Sequence, residues 1–571
     1  MGVSMEPQPW PEPDPVVARA VRAKNYGRQV PLPVAVRDRL GELFPDEEFA
    51  EAFGATGPSG WSPGRLALVT VFQMAENLTD RQAAEGVRDR LSWAYALGLE
   101  LTDTGFDFTV LSQFRTRVVE HGLEEKVLDL LLERLTEQGL VGSGGKQRTD
   151  STHVISAVRD LNRLELAGES VRAAVEALTV AAPHWVAGVL DVPGWSRRYD
   201  TRIDTWRIPS SATKRDQLAL TYARDGFALL EAVYDPRSQP WLRELPAVQT
   251  LRTVLVQNYT RTIARGGREV VARRTKTEDG GDGLPPGHLR IASPYDLDTR
   301  WSAKRDTFWN GFKLHVSESC TDAPEKERIA PNLITNVTTT ASTVPDTKAL
   351  DGIHQQLQRR ALLPHEHYLD SGYPSADLIV RSRKTYGIAL ITPVLLDQSR
   401  QARAAQGFQA DAFTIDWKYQ QVTCPQGQAS SSWSPCTQHG YPMIVVAFTK
   451  PTCGPCPVRE LCTTSRRGFR QLTLNPRPLT EALRTARAEQ ADRDWQDAYA
   501  LRSGVEGTIR QALAITDSRR ARYRSLAKTH LEHVYSAVAL NLIRLNAWWN
   551  GKPLDRRHTS HLARLELSLA A

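Results

Sequence analysis

Three acidic residues stand in local frames that can carry chemistry: Asp150 in GKQRTDST, Asp370 in HYLDSGY and Glu506 in YALRSGVEGTIRQ. The first two frames read as strands that end in a carboxylate and a turn. The third reads as a helix, with Arg502 and Arg510 one turn either side of the glutamate. The three are far apart in the chain, so only a folded core brings them together. Hard divalent cations such as Mg²⁺ take oxygen ligands, and a pair of them clamps the attacking and leaving oxygens of an in-line displacement at phosphorus. Three converging carboxylates with arginines nearby suit that chemistry. Any one of them alone would read as a solvated surface acid.

A second group of residues has metal-ligand spacing. Cys424, Cys436, Cys453, Cys456 and Cys462 are five of the six cysteines, and TCGPCPVRELC gives a C-x2-C-x5-C run. Tetrahedral Zn²⁺ takes four sulfur or nitrogen ligands, and a C-x2-C turn offers two to one ion. Cys453, Cys456 and Cys462 with Cys424 form the expected set for a structural zinc. Cys436 and His439 are rivals for the fourth place, and reduced, packed cysteines without metal are the competing reading. Cys320 reads as a buried small apolar residue.

The elements that must position these residues alternate in type. SPGRLALVTVFQMAENLTDRQAAEGVRDRLSWAYALGLEL from Ser62 is helical, with Ser62 and Pro63 as cap and first turn. GSGGK (142–146) is a hinge into the strand of Asp150, and a helical stretch at about 158–290 then interrupts the core. FWNGFKLHV (308–316) alternates, with Phe308, Phe312, Leu314 and Val316 on one face. LITNVTTTAS (333–342) reads as its neighbour strand, KALDGIHQQLQRRALL (348–363) as an amphipathic helix, and GIALITPVLL (387–396) as a short buried strand. LAKTHLEHVYSAVALNLIRL (526–545) places Leu531, Val534, Tyr535, Val538, Leu542 and Leu545 at helical spacing.

The expected divisions are a disordered tail (1–25), a helical N-terminal domain (26–141) and a first core part (146–400). A cysteine-rich insertion (401–475), a second core part with Glu506 (476–550) and a basic tail (551–571) follow. The Pro-rich residues 1–20 are the part read as least ordered.

Four stretches resemble the DDE transposases of bacterial insertion sequences, in the branch with a helical N-terminal domain and a cysteine cluster before the catalytic glutamate. They are the Ser62 stretch, TDSTHVISAVRDLNRLEL from Thr149, HYLDSGYPSADLIVRS from His367, and the stretch from Arg502 to Leu545. The likeness implies an α/β fold with an RNase H-like core of mixed sheet and flanking helices. It implies Asp150, Asp370 and Glu506 as ligands of Mg²⁺ (or Mn²⁺), cleavage at transposon ends, and strand transfer into target DNA. Double-stranded DNA would be the partner, bound by a homodimer or larger assembly.

Tyr499, Arg502 and Glu506 fit the spacing of the family's tyrosine–arginine–glutamate signature, but Leu513 stands where related groups carry lysine. Arg510, Arg519 or Arg520 would supply that charge, and these, with Arg502 and Lys313, are the expected DNA contacts. A nuclease on the same core that does not join ends, and a DNA-binding relative silent in catalysis, are the alternatives.

Composition limits the remaining classes. The 571 residues carry a net charge of +7, a moderate excess for this length. Local crowding is sharper, in ARGGREVVARRTK (264–276), RSRK (381–384) and SRRARYR (518–524), as a phosphate-tracking surface needs. No secretory signal or membrane-length apolar run is visible, which predicts a cytoplasmic protein; action at the bacterial nucleoid is what the family likeness implies. There is no phosphate-binding G-x-x-x-x-G-K-[ST] loop, which predicts a reaction without nucleotide hydrolysis. Ser151 and Ser371 lie outside any G-x-S-x-G frame, and His153, His365 and His367 read as structural.

Overall fold

The frame around Asp150 forms a strand, Lys146–Ile155 (β1), inside a six-stranded sheet. This computed structural model describes residue 7 and residues 10–25, 30–54, 60–204, 208–281, 283–304, 306–324 and 327–551, so all but the first residue of the basic tail lies outside it. A separate hairpin, Tyr259–Ile263 (β2) with Glu269–Arg273 (β3), comes next in the chain. The sheet continues with Arg300–Lys304 (β4), Thr307–Cys320 (β5), Ile334–Ala341 (β6), Glu366–Leu369 (β7) and Ala389–Ile391 (β8). β5 is antiparallel to β1 on one side and to β4 and β6 on the other. β7 runs parallel to β1, and β8 parallel to β7. The order β6-β5-β1-β7-β8, antiparallel then parallel, is that of an RNase H-like core in an α/β fold.

β5 is buried on both faces, Phe312, Leu314 and Val316 on one and His315 and Ser317 on the other. Phe308 does not join them and is 73% exposed. The β1 and β6 pairings reach only to Gly311 and Phe312, and beyond them β4 and β5 form a two-stranded ribbon with no sheet to cover Phe308. Alternation identified the strand but not where its partners stop.

The helix Leu526–Trp549 is the spine of the molecule. It carries the expected apolar stripe and also buries Ala537, Ala539 and Leu540, so it is packed on more than one side. Asn541 fixes it to the sheet edge, donating to the carbonyl of Ile334 at 2.8 Å and accepting from its amide at 2.7 Å. Its other side meets the N-terminal helices, and residues such as Leu68, Phe72, Leu131, Leu314, Val538 and Leu542 share one apolar core. A charged cluster seals that junction. Glu125 accepts from Gln356, Arg359, Arg360 and His530, and Asp129 from Arg359 and Arg360.

The helices expected near Ser62 and Asp80 are capped by Ser62 and by a Thr79–Gln82 capping box. The tail read as disordered is helical from Pro15 to Asn25, because Val17 and Val21 bury against the N-terminal helices.

Two insertions have apolar cores of their own. The helices Arg163–Ala181, Ala212–Tyr234 and Pro246–Asn258 pack around Val171, Leu178, Leu229 and Leu251. The cysteine-rich lobe packs Phe413, Val422, Val446 and Phe448 between small sheets. These are formed by Thr414–Asp416 (β9) with Gln421–Thr423 (β10), and by Ser432–Gln438 (β11), Tyr441–Ala447 (β12) and Gln471–Leu474 (β13).

One buried acid on the spine makes stability depend on pH. Glu532 accepts from the amide of Arg522 at 2.8 Å, but its other oxygen is buried without a partner. Burial lifts its carboxyl to about 7. A carboxyl raised in the folded state contributes stability that is complete below about 4.5 and lost as pH rises through 7. Glu532→Gln removes that dependence, so the variant should melt higher than wild type above pH 7 and no higher near pH 5, in thermal melts across that range.

Candidate active site

Asp150 and Asp370 are placed by strand register. Thr149 pairs with Leu369 in the parallel β1–β7 ladder, so the two aspartates stand side by side just beyond its last pair. Glu506 comes from the first turn of the helix Gly504–Ile515, which packs on β1 and β5. Arg502 lies not on that helix but in the short 3-10 turn Ala500–Ser503 before it. From there its guanidinium donates to Asp150 Oδ2 at 2.5 Å and to Glu506 Oε1 at 2.6 Å. Asp370 is near enough that its charge acts on both Asp150 and Arg502. Two of the three carboxylates predicted from sequence therefore share one arginine, and Asp370 acts on it through charge alone.

Their electrostatics follow from burial. Asp150 is 9% exposed, and desolvation pushes its carboxyl up to about 6 against the pull of Arg502 and the amide of Ser151. Burial works against the charge of Arg502, but Asp150, Asp370 and Glu506 outweigh it and raise its pKa. Glu506 is largely open to solvent. Tyr499 donates to the carbonyl of Leu369 at 3.2 Å and stacks on Trp495, which ties the turn of Arg502 to the end of β7. Among the described residues no three His, Cys, Asp or Glu close on a common point as metal ligands; Arg502 stands between the carboxylates instead.

A buried charge network holds the Glu506 helix in place. Glu318 on β5 has no exposure and accepts from Arg148 at 2.7 Å, Thr508 at 2.5 Å and Arg544 at 2.9 Å. Burial alone would raise its pKa, but the two arginines overcome that and lower it. Arg148 also donates to the carbonyl of Leu501 at 2.6 Å, one residue before Arg502.

Of the other expected contacts, Arg510 and Arg520 are exposed. Arg519 turns inward and donates to Thr152 Oγ1 and to the carbonyl of His153, while its own carbonyl receives the amide of Ile155. Lys313 pairs with Asp346 at 2.9 Å and donates to the carbonyl of Val344.

Asp346 had no signal in the sequence beyond a place at the start of a helix. It accepts from Ser151, next to Asp150, and with Lys304, Lys313, His153 and Trp309 lines a polar cavity of about 330 Å³. His367 is locked between Thr149 and His354 inside the core.

In the cysteine-rich lobe, Cys424, Cys453, Cys456 and Cys462 line one pocket, and the other three act together on the Cys462 thiol, which burial raises. Cys436 and His439 lie outside that lining. Cys320 is buried, and its thiol is pushed up to about 12 by desolvation.

The sheet is RNase H-like, and comparison with known families points to a nucleic-acid-cleaving enzyme. Residues 423–546 match the model of the transposase DDE domain, and residues 24–117 that of a transposase domain of the DUF772 type. Together the two matches support a DDE transposase of the insertion-sequence type and point to transposition-related DNA cleavage and transfer. Asp150 and Asp370 lie outside both matched spans. No curated protein and no solved structure matches. No helix among the described residues is long and apolar enough to cross a membrane.

Gly504 is where the network admits no side chain. A Cβ there would sit 2.0 Å from Arg148 Nη1, although the backbone is ordinary helix. Helix propensity alone favours alanine. Gly504→Ala should nevertheless destabilise the chain by about 1–3 kcal/mol through overpacking, measured by urea denaturation.

Proposed function

We propose that Asp150, Asp370 and Glu506 are the ligands of two divalent cations, Mg²⁺ or Mn²⁺. With them the chain cleaves DNA at transposon ends and transfers the freed 3′ ends into target DNA. The shared hold of Asp150 and Glu506 on the Arg502 guanidinium, with the charge of Asp370 acting on both Asp150 and Arg502, carries this reading. The donors are all hard oxygens, as Mg²⁺ or Mn²⁺ would require. When bound, the ions would activate a water or 3′-hydroxyl for attack and stabilise the leaving oxygen.

Everything else falls to the chain. Asp150 is held by the Ser151 amide at 2.7 Å and Asp370 by the Gly372 amide at 2.9 Å, so both present fixed oxygens. Arg502 turns from the carboxylates to the scissile phosphate once their charge is met. Arg510 and Arg520, exposed near the site, hold the flanking backbone, whereas Arg519 positions the end of β1. Two copies of the chain pair the two ends. In the lobe, Cys424, Cys453, Cys456 and Cys462 line one pocket and would be the ligands of a structural Zn²⁺, a donor set that ion prefers.

Replacing Asp150, Asp370 or Glu506 by alanine should abolish nicking and joining while end-DNA binding persists. Mg²⁺ should support the wild type, and Ca²⁺ should allow binding without turnover. Gel assays on paired ends check this. Nicking without joined product would leave a nuclease, binding without nicking a silent relative, and near-normal strand transfer by one variant would remove that residue from the site.

Metal analysis should find about one zinc per chain, with Cys453→Ser or Cys456→Ser lowering zinc content and solubility before chemistry. A folded, active preparation without zinc would leave packed, reduced cysteines.

A further inference from the structure

The ARGGREVVARRTK run belongs to the hairpin β2–β3, which projects from the helical insertion. Its base is pinned. Arg163 donates to Asn258 Oδ1 at 3.0 Å and to the carbonyls of Asn258 and Arg274 at 3.2 and 3.0 Å. Arg274 closes back on the carbonyl of Val256. The inward face is committed as well. Tyr259 and Val271 bury in the insertion core, Arg261 lies over Phe227 and pairs with Glu231 and Glu269, and Arg273 pairs with Asp216.

The other face is open. It carries Thr260, Thr262, Val270 and Ala272, all short and uncharged. The tip, Ala264–Arg268, turns through Gly266 and Gly267 with φ of +104° and +79°, a conformation that favours glycine. Arg265 and Arg268 flank those glycines, exposed, and make no ion pair among the described residues.

We propose that this hairpin is a DNA-reading arm that enters the major groove of duplex DNA. A two-stranded ribbon matches that groove in width, about 12 Å. Short threonine, alanine and valine side chains can approach base edges and thymine methyls there, while two unpaired arginines at the tip meet phosphates. The pinned base lets the arm arrive already ordered, so little freedom is lost on binding. Charge complementarity selects a polyanion over a second copy of this cationic face. The inference rests on DNA being the substrate, but uses none of the carboxylate site.

The test uses the full chain, a duplex from the DNA flanking the reading frame and a scrambled duplex of equal length. Arg265→Gln with Arg268→Gln should weaken binding to both and flatten the slope of log K against log salt by about 1.8, the loss of two phosphate contacts. Arg265→Lys with Arg268→Lys should restore the slope. Because the tip arginines have no internal partner, the melting temperature should not move. Guanine N7 protection from dimethyl sulfate by the wild type should disappear with the glutamine pair.

Unchanged affinity and slope, or unchanged N7 protection, would overturn the arm. So would a shift in self-association without DNA, which would mark a contact between copies. If the wild type fails to cut with Mg²⁺ while the glutamine pair still flattens the slope, the arm stands and the proposed chemistry falls.

Discussion

Burying an ionised carboxylate costs several kcal/mol unless its oxygens are met by well-placed donors, and Glu318 is met from three directions. Arg148 comes from the strand of Asp150, Thr508 from the helix of Glu506, and Arg544 from the long C-terminal helix. None of the three can move without leaving a buried charge exposed to apolar surroundings. The distance between two of the candidate acids is thus set less by those acids than by an anion one layer below them. The same constraint explains why Gly504 lacks a side chain and why Arg148 reaches the carbonyl of Leu501.

A good part of this was legible in the sequence, where neighbours within a few residues decide the outcome. A strand ending in an aspartate and a turn, or a glutamate in the first turn of a helix, is a local statement, and the strand of Asp150, the strand end before Asp370 and the helix of Glu506 form where those frames place them. What depended on register between distant segments was not legible. Nothing in LRSGVE says that Arg502 reaches Asp150 as well as Glu506, because that requires the turn before one helix to meet the end of a strand. Asp346 was missed for the same reason, since PDTK resembles any helix start. Phe308 was misplaced because alternation persists where the sheet has already ended. The Pro-rich tail was misjudged at Val17 and Val21, whose burial depends on helices far along the chain.

The molecule divides its stability unevenly. The helical insertion and the cysteine-rich lobe each bury an apolar core of their own. The sheet and the N-terminal helices do not separate in this way, because the Leu526–Trp549 helix lies between them and contributes to one continuous core. The Glu125 cluster, which draws on the N-terminal helices, the Asp346–Arg359 helix and the C-terminal helix together, has the same logic in charge rather than in apolar contact.

That arrangement bears on how the protein is made. The central strand β1 emerges early in synthesis, yet its neighbours β5 and β7 follow only after the helical insertion, and the spine helix only after the cysteine-rich lobe as well. At about 5–20 residues per second, the wait is on the order of tens of seconds. During that time β1 has no sheet to join, and the N-terminal helices lack the surface that covers them. A chain released early would hold folded insertions but no assembled carboxylate cluster. Order of synthesis alone therefore withholds the assembled carboxylate cluster until almost the whole polypeptide has left the ribosome.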